Sequence, residues 1–380
     1  MITTVAVAGY RSLRDLVLPL GPLTVVTGPN GSGKSNVYRA LRLLSSAATG
    51  SMVAAVAAEG GLPSVMWAGP ESPTGEGRPQ GTVRRAPLAV LLGFASGELG
   101  YVVDLGLPQV VGPTLFARDP ELKREQVFSG PLAKPATLLI DRTRSATRVR
   151  DSAWRTLRQP LMPYETILTD LAEGDTGPEL LALRRMLSGW RFYDHFRTDH
   201  AAPVRTPRVG TRTQVLAHDG ADLAAAWATI QDAGFGRPLA AEVDRAFPGS
   251  RVEIVESDGR LRLVMHQPGL LRPLDATELS DGTLRYLLLC AALLPAQPGP
   301  LIVLNEPESS LHPDLLEPLA RLVAAASAQT QVVVVTHAAP LASALEDAHA
   351  LTHRLESTPS GTRIAGQGVL DRPAWNWGSR

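Results

Sequence analysis

Eight residues, Gly28-Pro29-Asn30-Gly31-Ser32-Gly33-Lys34-Ser35, follow directly on the apolar stretch Leu23 to Val26. They fit Gly-x4-Gly-Lys-Ser/Thr in the setting that pattern requires, a strand, a glycine-rich turn and then a helix. Glycines at 28, 31 and 33 let the backbone curl so that successive N–H groups face an anion, with Asn30, Ser32 and the trailing Asn36 around them. A helix beginning near Lys34 adds its positive end to the same place. Lys34 is positioned to reach β- and γ-phosphates, and the Ser35 hydroxyl to ligate Mg²⁺. The chain holds three lysines against thirty-four arginines, so a chance match is improbable on composition. The chemistry implied is binding of a nucleoside triphosphate.

Two further strand ends carry polar groups. Leu301-Ile302-Val303-Leu304-Asn305-Glu306-Pro307 is an apolar run closing on Asn305 and Glu306. In open α/β sheets ligands sit outside the carboxyl ends of strands, where a carboxylate such as Glu306 can orient and polarise attacking water. Phosphate-loop ATPases usually place Asp where Asn305 stands, to help hold Mg²⁺; the carboxamide keeps an oxygen ligand but loses the charge. Val332-Val333-Val334-Val335-Thr336-His337 ends on a histidine able to donate to a γ-phosphate or to water near neutral pH. Leu279-Ser280-Asp281-Gly282-Thr283 opens an apolar helix: Ser280 is an N-cap, and Gly282 permits close backbone approach.

These groups need a scaffold, and the periodicities supply one. Residues 2–8, Leu16 to Leu20 and Leu23 to Val26 read as three short strands leading into the loop, and Asn36 to Ser45 as the helix it opens. Segments 87–93 and 99–105 read as an antiparallel hairpin, and 251–257 with 260–266 as another around Asp258-Gly259. Helices are expected at 179–187, 221–232, 238–247, 281–294 and 315–326, and buried parallel strands at 301–304 and 331–335. Residues 48–85 show little periodicity. The 380 residues carry zero formal net charge, so no global field draws the molecule to nucleic acid or anionic lipid. The one cysteine, Cys290, lies in the apolar run 286–294 and reads as a buried thiol. The N-terminal residues lack the pattern of a secretory leader and no stretch reaches the ~20 apolar residues of a membrane span, which predicts a cytoplasmic protein without membrane contact.

Taken in order, Gly28 to Ser35, Leu279 to Thr283, Leu301 to Pro307 and His337 resemble the ABC-type ATPase head of the SMC, RecF and OLD-like branch. Gly9-Tyr10-Arg11-Ser12 looks like that branch's aromatic–basic–Ser motif, and Glu308-Ser309-Ser310-Leu311-His312-Pro313 like the stretch after its catalytic glutamate. The resemblance implies an α/β P-loop NTPase fold: a mixed-sheet core with an antiparallel β lobe and an inserted helical lobe. The core is expected from 1–50 and 270–380, with 51–269 inserted. It also implies ATP and Mg²⁺ as ligands and a homodimer closing head to tail around ATP. In it Glu306 is the catalytic base, His337 the switch histidine, Ser280 and Gly282 the signature, and Ser309 to His312 the loop crossing the dimer seam. Arg11 is expected near the phosphates. Departures stand at Asn305, at Asp281 for a Gly, and at Thr283 for a Gln, and they predict slow turnover. A glutamine bridging Mg²⁺ to the inserted lobe is not located; Gln80 and Gln109 are the candidates.

The connection between the halves is punctuated by Pro and Gly and lacks sustained heptads, so a compact head without coiled-coil arms is expected. Two functions follow. One is an ATP-gated machine on DNA, in repair, maintenance or defence, supported by six arginines within 141–158. The other is an ATP-dependent switch whose partner is an effector protein, which zero net charge suits. Trp375 and Trp377 in the tail offer a docking point for a partner, with a locally packed or disordered terminus the favoured expectation.

Overall fold

The computed structural model describes residues 1–70, 89–109, 112–144, 146–158, 160–171, 177–368 and 370–378. They gather into two compact units, one of residues 1–21, 27–190 and 353–380, the other of 22–26 and 191–352. The division expected from the motifs, at 50/51 and 269/270, follows sequence order; in the structure, residues 191–269 share a unit with 270–352.

The first unit is built on eight antiparallel strands in the order Leu13–Pro19, Ile2–Tyr10, Ala89–Ser96, Leu99–Gly106, Glu121–Ser129, Leu138–Thr143, Thr147–Arg150, Trp154–Thr156. The expected hairpin is the third and fourth of these, residues 87 and 88 lying outside the described ones. Its members are buried almost along their length, which is why they read as apolar runs rather than as alternation. Within the unit run the helices Lys34–Ser46 and Pro178–Ser188, tied by a bond from Ser45 Oγ to Leu187 O at 2.8 Å. Two short helices, Met52–Ala58 and Leu62–Val65, occupy the stretch that showed no period; one or two turns are too few to display one. Trp375 packs edge-on against Phe128 and against Trp377, and Arg124 Nη1 donates to Trp377 O, so the two tryptophans pack locally.

In the second unit the strands Arg191–Tyr193, Leu301–Asn305, Gln331–Val335 and Leu23–Val26 lie parallel, in that order. Val332 to Val335 are fully buried, as a strand covered on both faces must be. A small antiparallel sheet joins Arg251–Ser257 to Arg260–His266 through Asp258 and Gly259, both at positive φ (52° and 73°), the turn that Asp-Gly favours. Helix Asp281–Leu293 is buried on every side from Leu284 to Ala292, so apart from Arg285 that stretch is uniformly apolar or aromatic instead of striped. Leu316–Ser327 and Ala339–Asp347 alternate with the parallel strands.

Candidate nucleotide and catalytic site

The phosphate loop belongs to the first unit. Gly28, Gly31 and Gly33 adopt φ of 144°, 79° and 100°, conformations that L side chains rarely take. A Cβ at Gly28 would lie 2.3 Å from Leu355 O, and one at Gly33 2.2 Å from Thr362 Oγ1. Both glycines are therefore demanded by close approach as well as by φ. Gly33 is the N-cap of helix Lys34–Ser46 and no side chain caps that helix, so its first turn faces the loop as an anion site. Lys34 is 5% exposed, and its Nζ folds back to donate to Gly28 O (2.7 Å) and Pro29 O (3.0 Å). Asn30, Gly31 and Ser35 are exposed, while Ser32 Oγ is buried without a hydrogen-bond partner, an orphan that a phosphate oxygen would satisfy.

A set of side chains braces this loop. Asn36 Nδ2 donates to Ser12 Oγ, Ser12 Oγ meets Thr362 Oγ1, each at 2.8 Å, and Thr362 Oγ1 donates to Ser32 O at 2.9 Å. Ser12 of the aromatic–basic–Ser motif and the trailing Asn36 are thus brought together. Arg11 holds a positive φ of 49° and its guanidinium is engaged by Glu59, at 2.6 Å from Nη2; Tyr10 donates to the same carboxylate at 2.8 Å. Gln109 accepts from Arg144 at 3.0 Å, and Gln80 lies outside the described residues.

The second unit gathers Asn305, Glu306 and His337 at the carboxyl edge of its parallel sheet. Register pairs Asn305 with Val335 and Val335 with Val26, the residue from which the chain runs on into Thr27 and the phosphate loop. Glu306 N extends the ladder to Val335 O at 2.7 Å, yet Glu306 itself has φ of 48°. A left-handed non-glycine residue is strained, and strain of this kind concentrates at functional sites. His337 Nδ1 lies 3.5 Å from Glu306 Oε1 and 3.4 Å from Glu308 Oε1. Glu306 and His337 are partly open to solvent, whereas Glu308 is buried. Glu308 Oε1 accepts from Thr336 Oγ1 (2.5 Å) and from the N–H groups of His337 and Ala338 (3.2 Å each), which fixes the turn carrying the histidine.

Arg285 reaches from helix Asp281–Leu293 and donates through Nη2 to Glu306 O and Asp194 O, both at 3.2 Å. Burial lowers its pKa from the usual arginine value, against the pull of Asp194, Glu308 and Glu306. At the head of the same helix Ser280 Oγ accepts from Thr283 N at 3.1 Å, the expected cap. A Cβ on Gly282 would stand 2.9 Å from Ser310 O, so glycine there permits contact with the Ser309–His312 segment. Asp281, the departure from glycine, is paired at 2.6 Å with buried Arg205, which also holds Ala276 O and Leu279 O.

Sequence reasoning missed Asp194, Glu308, Arg285, Arg205 and Thr362 as parts of these sites. Of these, Glu308 had a usable positional signal, a carboxylate just beyond the end of an apolar strand. The others act from elements far away in sequence. Among the described residues no group of three His, Cys, Asp or Glu side chains gathers for a metal. Mg²⁺ in phosphate-loop sites needs none, being held by one or two protein groups, water and the phosphates. Each unit offers an oxygen of the type it takes: Ser35 is exposed in the first, and Asn305 Oδ1 is buried without a partner in the second.

Comparison with known proteins matches residues 23–342 to the family described as "AAA domain, putative AbiEii toxin, Type IV TA system". A stretch of 44 residues is 48% identical to an OLD nuclease of Thermus scotoductus, taking in 12% of this chain and 8% of that protein. The fold is similar to an SMC head bound to the C-terminal winged-helix domain of ScpA (TM-score 0.52, 13% identity, 97% of this chain and 98% of that one). It is also similar to the SMC head domain of Thermotoga maritima (TM-score 0.50, 16% identity, 97% and 99%). No helix among the described residues is long and apolar enough to cross a membrane. The chain belongs to this AAA-domain family, and its fold is similar to that of SMC head domains.

Proposed function

We propose that the chain binds and hydrolyses ATP slowly, two copies closing head to tail around two nucleotides, as a cytoplasmic switch. The observation that carries this is Glu306, held in a strained turn at a sheet's carboxyl edge with His337 Nδ1 3.5 Å away. In this reading the 28–35 backbone and Lys34 bind the phosphates, and Ser35 and Asn305 are the groups to hold Mg²⁺, which supplies charge neutralisation when bound. Glu306 takes the proton of the attacking water. His337, steadied by Glu308, donates to the γ-phosphate, and Arg11 acts near the phosphates only if it leaves Glu59. Ser280 and Gly282 of one copy complete the site of the other. Glu306→Gln is expected to retain ATP binding while hydrolysis falls by about 10²–10⁴, and to accumulate a nucleotide-bound dimer in analytical ultracentrifugation. Normal turnover by that variant would refute the assignment of the base.

What the closure acts on has two readings. The match to an OLD nuclease supports work on DNA, in maintenance or defence. The arginines of 141–158 favour the other reading, an effector protein as partner. Arg142 pairs with buried Glu125, Arg148 with Asp141 at 2.5 Å, Arg144 with Glu121 at 3.5 Å, and Arg150 donates to the carbonyls of Pro135 and Ala136. Arg148 and Arg150 also lie over the Trp154 ring, at 5.3 and 5.7 Å. Most of that segment's charge is used inside its own sheet.

A further inference from the structure

Asn305 leaves a divalent ion without the carboxylate usual at this point, and the fold returns one from another strand. Arg191–Tyr193 runs parallel beside Leu301–Asn305, with Tyr193 opposite Leu304. That register sets the next residue, Asp194, level with Asn305 at the carboxyl edge. Asn305 Nδ2 donates to Asp194 Oδ1 at 2.7 Å. A carboxylate accepts only, so the carboxamide must present its nitrogen to Asp194 and turn its oxygen away. That oxygen, Oδ1, is buried and has no hydrogen-bond partner. An unsatisfied buried carbonyl oxygen is costly for the protein, and oxygen is the ligand type a hard cation takes. Asp194 is itself fixed, because Arg285 Nη2 donates to Asp194 O and to Glu306 O, tying the two turns to one guanidinium.

We propose that Asp194 is the outer carboxylate of the Mg²⁺ site: it orients the Asn305 oxygen toward the ion and supplies the negative charge that Asn305 lacks. This rests on the ATPase reading above. Carboxylates that hold a metal ligand by hydrogen bond change metal affinity by about 10- to 100-fold when removed. The test is equilibrium binding of a fluorescent ATP analogue to the full chain, titrated with Mg²⁺ and repeated in EDTA. Asp194→Asn should raise the Mg²⁺ concentration for half-maximal binding by about tenfold or more, with binding in EDTA unchanged. Asn305→Asp should lower that concentration, a gain that misfolding cannot imitate. The pair Asp194→Asn with Asn305→Asp should return it toward the original, because the charge has only moved. An unaltered Mg²⁺ requirement in Asp194→Asn, or weakening equal with and without Mg²⁺, would overturn the proposal and leave Asp194 as a counter-ion of Arg285. Absence of nucleotide binding by the unaltered chain, matching Lys34→Ala, would instead overturn the ATPase reading and this inference with it.

Discussion

Glu306 and Glu308 differ in what their surroundings ask of them. Glu306 is partly exposed in a left-handed turn, free to meet water; Glu308 is buried, with one oxygen accepting three hydrogen bonds from Thr336, His337 and Ala338. Its work is to hold the histidine's turn. Glu308→Ala strands those donors, and a cost of about 3 kcal/mol is expected, read as a lower midpoint in urea denaturation. Turnover should fall at least about tenfold with KM for ATP little changed, since His337 loses its support while the phosphate loop is untouched. An unchanged midpoint together with unchanged turnover would show the carboxylate idle. The positions of Lys34, Ser35, Glu306 and His337 in loop and strand-end turns were legible in the sequence because each occupies a fixed offset from an apolar strand. The supporting role of Glu308 was not, because its partners arrive some thirty residues later, on Gln331–Val335 and the turn after it. Asp194 was hidden for another reason: a strand of three residues is too short to announce its own end.

Among elements, the loop and helix Lys34–Ser46 show how far local pattern reaches. Strand, turn and helix were each readable, as were both hairpins, because each carries a local signature: an apolar run, a glycine-rich loop of fixed spacing, or a turn joining two neighbouring runs. The brace of Ser12, Asn36 and Thr362 was not, since it closes over 350 residues of chain between Ser12 and Thr362. That brace separates the loop's glycines. At Gly33 a methyl group meets Thr362 Oγ1 at 2.2 Å under a φ of 100°, whereas at Gly31 nothing lies within 4 Å. Gly33→Ala is therefore expected to abolish nucleotide binding and to cost about 2–3 kcal/mol. Gly31→Ala meets only the strain of its φ, about 1 kcal/mol. Calorimetric nucleotide titration beside thermal melts distinguishes the two; equal behaviour of both variants would mean that the brace does not shape the loop.

At the scale of the whole molecule, charge decides the choice of partner. Zero net charge was readable from composition, but the fate of the arginines was not: Glu125 and Glu121, which take up Arg142 and Arg144, come from a strand that alternates too irregularly to have been placed beside them. Glu125 is fully buried, and burial pushes its pKa up while Arg142 and Tyr101 oppose the shift, so the pair is an internal fixture of the eight-stranded sheet. With its arginines so engaged, the ATPase rate is expected to be indifferent to duplex DNA at every salt concentration tried. Stimulation that fades as salt rises would restore direct contact with phosphates. Helix Asp281–Leu293 carries one more consequence. It encloses Cys290, the chain's only cysteine, and burial pushes that thiol well above its ordinary pKa, away from the reactive thiolate. The native sequence is thus its own blank background for thiol-directed probes. A single cysteine introduced at exposed Ser310, beside Gly282, would take a spin label or fluorophore alone, and the proposed closure of two copies could be followed in solution without first stripping cysteines from the protein.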